Sequence, residues 1–154
     1  MTEALNNHIF EIISEEAASQ GVRAFVIGGF VRDFFLQRPC SDIDVVVEGS
    51  GIAIAEAVAK RIRTKVTVFR TFGTAMLHYR GDDGKVLEVE FVGARKESYS
   101  HDSRKPIVEN GTLKEDQERR DFTINAMAFS LQKEDFGELV DPFGGIRDLD
   151  EGII

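Results

Sequence analysis

The sequence predicts an α/β domain with a mixed or antiparallel sheet flanked by helices, and three stretches carry that expectation. An apolar run enters a glycine pair and continues as a helix over 24–36. Residues 65–92 alternate between apolar and polar side chains around tight turns, and the first twenty residues repeat apolar positions at helical spacing.

In chain order, Leu5, Ile9, Ile12, Ile13 and Ala17 make Thr2–Gln20 an amphipathic helix that Gly21 stops. Ala24–Ile27 is a short strand, Gly28-Gly29 a turn, and Phe30–Leu36 a helix packed on the sheet. Asp42–Val47, rich in valine, is a second strand, after which Gly49-Ser50-Gly51 opens a helix from Ile52 to about Arg63. Lys65–Arg70, Thr74–Tyr79 and Val86–Val92 form a meander of three strands, turned at Gly73 and at Gly81-Asp82-Asp83-Gly84. The polar stretch Glu97–Gly111 reads as a loop. Thr112-Leu113-Lys114-Glu115 has the form of a capping box for a helix reaching about Arg120. Ala126–Leu131 and Glu138–Val140 read as closing strands, and Asp141-Pro142-Phe143-Gly144-Gly145 as a turn.

At 154 residues the chain suits one domain with one core, and neither a repeat nor a Pro/Ser linker divides it. No apolar run approaches the ~20 residues of a membrane span, and the N-terminus lacks signal-peptide character, so a cytoplasmic protein with no membrane partner is expected. A single cysteine, Cys40, excludes an internal disulfide, and three dispersed histidines offer no zinc constellation. The net charge of −8 argues against strong nucleic-acid binding by this chain alone, because phosphate binding usually shows as a basic surface. An acidic chain handles nucleoside triphosphates when some of its carboxylates hold divalent cations, which directs attention to clustered Asp and Glu.

Asp42 and Asp44 stand two apart on a strand and share one face, while Ile43, Val45 and Val47 point to the other. Hard oxygen ligands in that arrangement suit Mg2+, and two ions about 3.5–4 Å apart stabilise the attacking and leaving oxygens of a phosphoryl transfer. A solvated strand face is the bland alternative. Glu90, with Glu88 on a later strand, is either a third carboxylate of that site or an ordinary exposed glutamate. Three carboxylates on one site repel unless cations join them.

Gly28 and Gly29 admit close approach of a ligand to the backbone, and the helix that follows offers amides to a triphosphate; alternatively the pair is only a turn. Neither a Walker loop nor a G-x-G-x-x-G fingerprint is present. Arg32 is placed to meet those phosphates or is a surface helix arginine, and Asp33 orients an arginine or caps the helix. Arg119 and Arg120 either complement a helix C-terminus or, with Asp121, contact phosphate and ribose. Asn125 braces that loop or touches a sugar hydroxyl. Ser14, Ser41 and the histidines show no nucleophile and base spacing, so covalent catalysis is set aside.

Four segments taken together are Gly28-Gly29-Phe30-Val31-Arg32-Asp33, Ser41-Asp42-Ile43-Asp44, Arg119-Arg120-Asp121-Phe122-Thr123-Ile124-Asn125-Ala126 and Asp141-Pro142-Phe143-Gly144-Gly145. In this order they resemble the class II tRNA nucleotidyltransferase and bacterial poly(A) polymerase family, from about Ala24 onward and including Phe72-Gly73-Thr74 and the strand of Glu90. The resemblance implies a head with the DNA polymerase beta superfamily fold, in which Asp42 and Asp44 bind Mg2+, with a two-ion site, and Glu90 is the third acidic position. It implies that Gly29 and Arg32 contact the incoming nucleotide and that Arg120 and Asp121 belong to a phosphate- and ribose-contacting motif. The implied reaction is attack of an RNA 3′ hydroxyl on the α-phosphate of ATP or CTP, building CCA on tRNA without a template. Poly(A) addition is the alternative, and a non-catalytic nucleotide-binding module a further one. The family's base-selecting Glu-Asp-x-x-Arg motif and tRNA-binding body are not found before Ile154. The expectation is therefore a catalytic head over residues 1–154, lacking the neck, body and tail and inactive alone on tRNA.

Overall fold

The computed structural model describes residues 5, 7–81, 83–99, 106–118 and 126–152. The first helix, α1 (His8–Ser19), buries Ile9, Phe10, Ile12, Ile13 and Ala17 and starts where the side chain of Asn7 accepts the Ile9 amide. It is followed by β1 (Ala24–Ile27), α2 (Gly29–Phe35), β2 (Asp42–Val47) and α3 (Gly51–Ile62), in agreement with the sequence pattern. The meander is β3 (Val66–Phe69), β4 (Thr74–Arg80) and β5 (Val86–Gly93), and the closing strands are β8 (Ala128–Ser130) and β9 (Leu139–Val140).

These strands make one seven-stranded sheet in the order β3-β4-β5-β2-β1-β8-β9. Every pairing is antiparallel except β2 with β5, which run parallel because α3 and the first two strands of the meander intervene between them. The fold is therefore the mixed α/β sheet that the sequence predicts.

Alternation along the strands gives the sheet two different faces. Val26, Val45, Val47, Val89, Phe91, Leu77 and Phe129 belong to the large core that α1, α2 and α3 complete. Fully burying one such side chain contributes roughly 1.5–3 kcal/mol, so this face supplies most of the drive to fold. The opposite face carries a smaller cluster of Phe25, Ile27, Val46, Ala94, Leu113 and Ala128. On β2 its apolar residues stop at Val46, so Asp44, beside Ile27, is half-buried at its margin and Asp42, at the start of the strand, is exposed.

One expectation is corrected. The stretch 97–111, read as a loop, contains most of a hairpin of β6 (Arg95–Tyr99) and β7 (Pro106–Asn110), with Arg95 opposite Asn110. Its base is closed by the Gly111 amide donating to Ala94 O at 2.7 Å. Its polar sequence lacks the apolar alternation that marks a half-buried strand, which left the pairing without a local signal. The predicted turn is present at Pro142-Phe143-Gly144, and a helix not expected from the sequence, α5 (Gly145–Asp150), follows it. Asp141 starts it, its carboxylate oxygens accepting the amides of Gly145 at 2.6 Å and Ile146 at 2.9 Å.

Between the hairpin and β8 lies α4 (Leu113–Glu118). Its Leu113 amide donates to Glu48 Oε2 at 2.7 Å, a capping contact supplied from beyond the end of β2. The side chain of Glu115, on which the expected capping box depends, lies outside the described residues. Among the described residues no helix is long and apolar enough to cross a membrane.

Candidate active site

The carboxylates meet through strand register. β2 and β5 pair in parallel with Asp42 opposite Glu88 and Asp44 opposite Glu90, so four acidic residues occupy two adjacent rows on one face. Neighbouring strands lie about 4.8 Å apart, which brings the paired carboxylates within reach of each other's repulsion. Asp42 and Glu90 are exposed and Asp44 is half-buried, between the second core and solvent. Among the described residues no three such side chains already converge on a point that could hold a metal ion. The donors that β2 and β5 themselves supply nevertheless suit a hard divalent cation, since all four are carboxylates.

The glycine turn leaves the sheet beside these rows, because Ile27, the last residue of β1, pairs with Asp44. Gly28 adopts φ +83°, a left-handed conformation that a side chain would strain. Its amide donates to Met127 O at 3.3 Å, tying the turn to the approach of β8. Arg32 folds back toward the start of its own helix. A Cβ placed on Gly29 would lie 3.3 Å from Arg32 Nη2, so the bare glycine leaves room for the guanidinium. Arg32 Nε donates to Asp33 Oδ1 at 3.1 Å, with Arg32 about one third exposed and Asp33 largely covered.

Cys40 links the turn to the aspartates. Its thiol donates to Asp42 O at 3.2 Å. Burial above all, with the nearby carboxylates of Asp33 and Asp42, pushes the thiol pKa up, outweighing that hydrogen bond. The same influences put both Asp33, on α2, and Asp42, on β2, near one sulfur.

Arg120, Asp121 and Asn125 lie outside the described residues. The residues that bracket their segment are described. Gln117, 1 % exposed, donates from Nε2 to Ala126 O at 2.7 Å and to Val140 O at 3.2 Å. This brings the start and the end of the intervening stretch together beside β8 and β9. Sequence reasoning gave Gln117 no role, and a lone glutamine among charged helix residues carries no signal that would single it out.

Residues 24–154 match the family described as Poly A polymerase head domain. The A-adding tRNA nucleotidyltransferase of Aquifex aeolicus is 48% identical over 133 residues, covering 86% of this chain and 16% of that protein. The CCA-adding enzyme of Anoxybacillus flavithermus is 38% identical over 144 residues, covering 92% of this chain and 33% of that enzyme. A solved tRNA nucleotidyltransferase, complexed with a primer tRNA and an incoming ATP analog, superposes with a TM-score of 0.76 at 43% identity. That likeness covers 90% of this chain and 36% of the other. The chain thus spans between about a sixth and a third of the length of these curated relatives.

Proposed function

The chain belongs to the poly(A) polymerase head-domain family, and from that membership we propose that it is the catalytic head of a template-independent nucleotidyltransferase that builds CCA on the 3′ end of tRNA. One observation carries the reading: Asp42 and Asp44 share a face of β2, and Asp44 stands in register with Glu90 on parallel β5. Residues 1–154 are the catalytic domain in this reading, with ATP and CTP as nucleotides and tRNA, in the cytoplasm, as acceptor.

Asp42 and Asp44 would hold Mg2+, as a pair of ions, and the metal would supply charge stabilisation to the attacking and leaving oxygens. The chain's own groups do the rest. Arg32, braced by Asp33, offers guanidinium donors beside Gly29 to the triphosphate, and Gly28 and Gly29 let it approach the backbone. Glu90 lies at the edge where the RNA 3′ hydroxyl enters and orients it toward the α-phosphate. Pyrophosphate leaves on the side of Arg32. Arg120, Asp121 and Asn125 are assigned phosphate and ribose contacts on their sequence.

A second reading is addition of the terminal A alone, favoured by the 48% identity to an A-adding enzyme. Extension by the full-length protein separates the two. A tRNA lacking CCA and one ending in CC are each supplied with CTP, ATP or both. Ordered addition to the first acceptor supports CCA synthesis. Incorporation of a single A on the second acceptor only supports A addition, and long adenosine tails would move the protein to poly(A) synthesis. No incorporation under any condition would overturn the catalytic reading.

A further inference from the structure

We propose that the groove between the C-terminus of α3 and the β4–β5 turn binds a backbone phosphate of the acceptor RNA, through Arg63 and Arg80. This rests on the nucleotidyltransferase reading for the identity of the RNA. The groove has a volume of about 400 Å³ and is lined by Arg63, Thr64, His78, Tyr79 and Arg80, with Ile62 and Val86 as its apolar walls. Among the described residues no carboxylate lines it, although Glu88 Oε1 stands 3.7 Å from His78 Nε2.

In a chain of net charge −8 this is a local reversal of sign. Four of the six residues from Lys60 to Lys65 are basic. Compensation of a helix C-terminus explains cations at the end of α3. It does not explain why β4 sends Arg80 to the same groove from an independent element.

The two arginines are held open to a ligand. Arg63 caps α3 in the left-handed region at φ +57°, which turns its side chain out of the helix, and it has no ion-pair partner among the described residues. Arg80 spends one donor, Nη1, on Gly84 O at 3.4 Å, and a guanidinium has four more N–H groups. Thr64 Oγ1 donates to His78 O at 3.4 Å and joins the helix end to β4, which fixes the width of the groove.

Register connects the groove to the carboxylates. His78 pairs with Glu88, and Glu88 with Asp42, in one row across three strands. Paired residues share a face, so His78 and Arg80 lie on the same side of the sheet as Asp42 and Asp44, while Tyr79 and α3 pack on the other side; the groove wraps the edge of β4 that continues past its pairing with β3. Two strand spacings separate Asp42 from His78, about 10 Å, and Arg80 lies about 7 Å farther along β4. An RNA strand whose 3′ end lies at Glu90 would cross β5 and β4 and lay an upstream phosphate in the groove. The acidic rows would repel that phosphate, so a cationic pocket beyond them is where the backbone can be held.

The test is direct RNA binding by the full-length chain, followed as fluorescence anisotropy of a labelled single-stranded RNA across a range of salt concentrations. Arg63→Gln with Arg80→Gln should raise the dissociation constant about tenfold or more, and should reduce the slope of log K against log salt by about 1.4, two phosphate contacts' worth for a single strand. Arg63→Lys with Arg80→Lys should restore that slope, because charge is retained. ATP affinity should be unchanged in both variants. An unchanged RNA affinity and slope in the glutamine variant would overturn the groove, as would a lysine variant as weak as the glutamine one, which would point to lost structure. Binding needs no turnover, so an unsubstituted chain that binds RNA through these arginines yet transfers nothing would end only the catalytic reading. Failure of the unsubstituted chain to bind RNA at all would overturn both.

Discussion

Asp44 and Glu90 face each other across the single parallel pairing of the sheet, forty-six positions apart in sequence and adjacent in space. The relationship depends on β2 and β5 being neighbours. Because α3, β3 and β4 are threaded between them, the two strands run in one direction, with the carboxylates of both in matched rows.

Asp42→Asn and Asp44→Asn should each lower kcat for nucleotide addition at least about a hundredfold. A metal-held transition state is worth several kcal/mol, and each 1.36 kcal/mol is a factor of ten. Asp42 is exposed and sits among like charges, so its replacement should leave the thermal midpoint unchanged or slightly higher. Steady-state rates and a melting curve on the same sample decide the matter; a rate within twofold of the parent would remove the residue from the metal site.

Arg32→Ala should weaken nucleotide binding about tenfold or more, the loss of one charge-assisted hydrogen bond of about 1.5–3 kcal/mol. Gly29→Ala should act in the same direction, since the added methyl group meets the guanidinium at 3.3 Å and a flexible side chain gives way more easily than backbone. Calorimetric titration with ATP reads both. If affinity holds in the Arg32 variant, the arginine belongs to the surface and not to the triphosphate.

Gly51→Ala should behave oppositely, costing stability by about 1–3 kcal/mol. A Cβ there would sit 2.8 Å from Val92 C and 2.9 Å from Val92 N, and β5 cannot move aside cheaply there because Val92 is paired with Val46 on one side and Thr74 on the other. Denaturant unfolding is the measurement, and a midpoint equal to that of the parent would show that helix and strand are not in the close contact described.

Gln117→Leu should destabilise the fold by about 1–3 kcal/mol, because the carbonyls of Ala126 and Val140 would lose their donor in a buried place. The same variant should weaken ATP binding if Arg120 and Asp121 depend on the closure of their segment. Loss of stability with intact ATP affinity would separate the brace from the nucleotide site.

Much of this was legible in the sequence, for a physical reason. Strand and helix boundaries at Ala24–Ile27 and Asp42–Val47 follow from local alternation and glycine punctuation, and the pairing of Asp42 with Asp44 on one face follows from the period of a strand. What had no local signal was decided by tertiary structure. The β6–β7 ribbon is polar and held by backbone bonds, so no apolar period announced it. The start of α5 depends on a carboxylate four residues upstream. The register that puts Glu90 beside Asp44, the sulfur that joins Asp33 to Asp42, and the convergence of Arg63 with Arg80 all link residues far apart in sequence or on different elements. The sequence determined which residues have the right chemistry and which way each points from its own strand or helix, because those are short-range consequences of covalent geometry. Only the packed sheet decided which of them meet, because strand order and register are set by burying a continuous core.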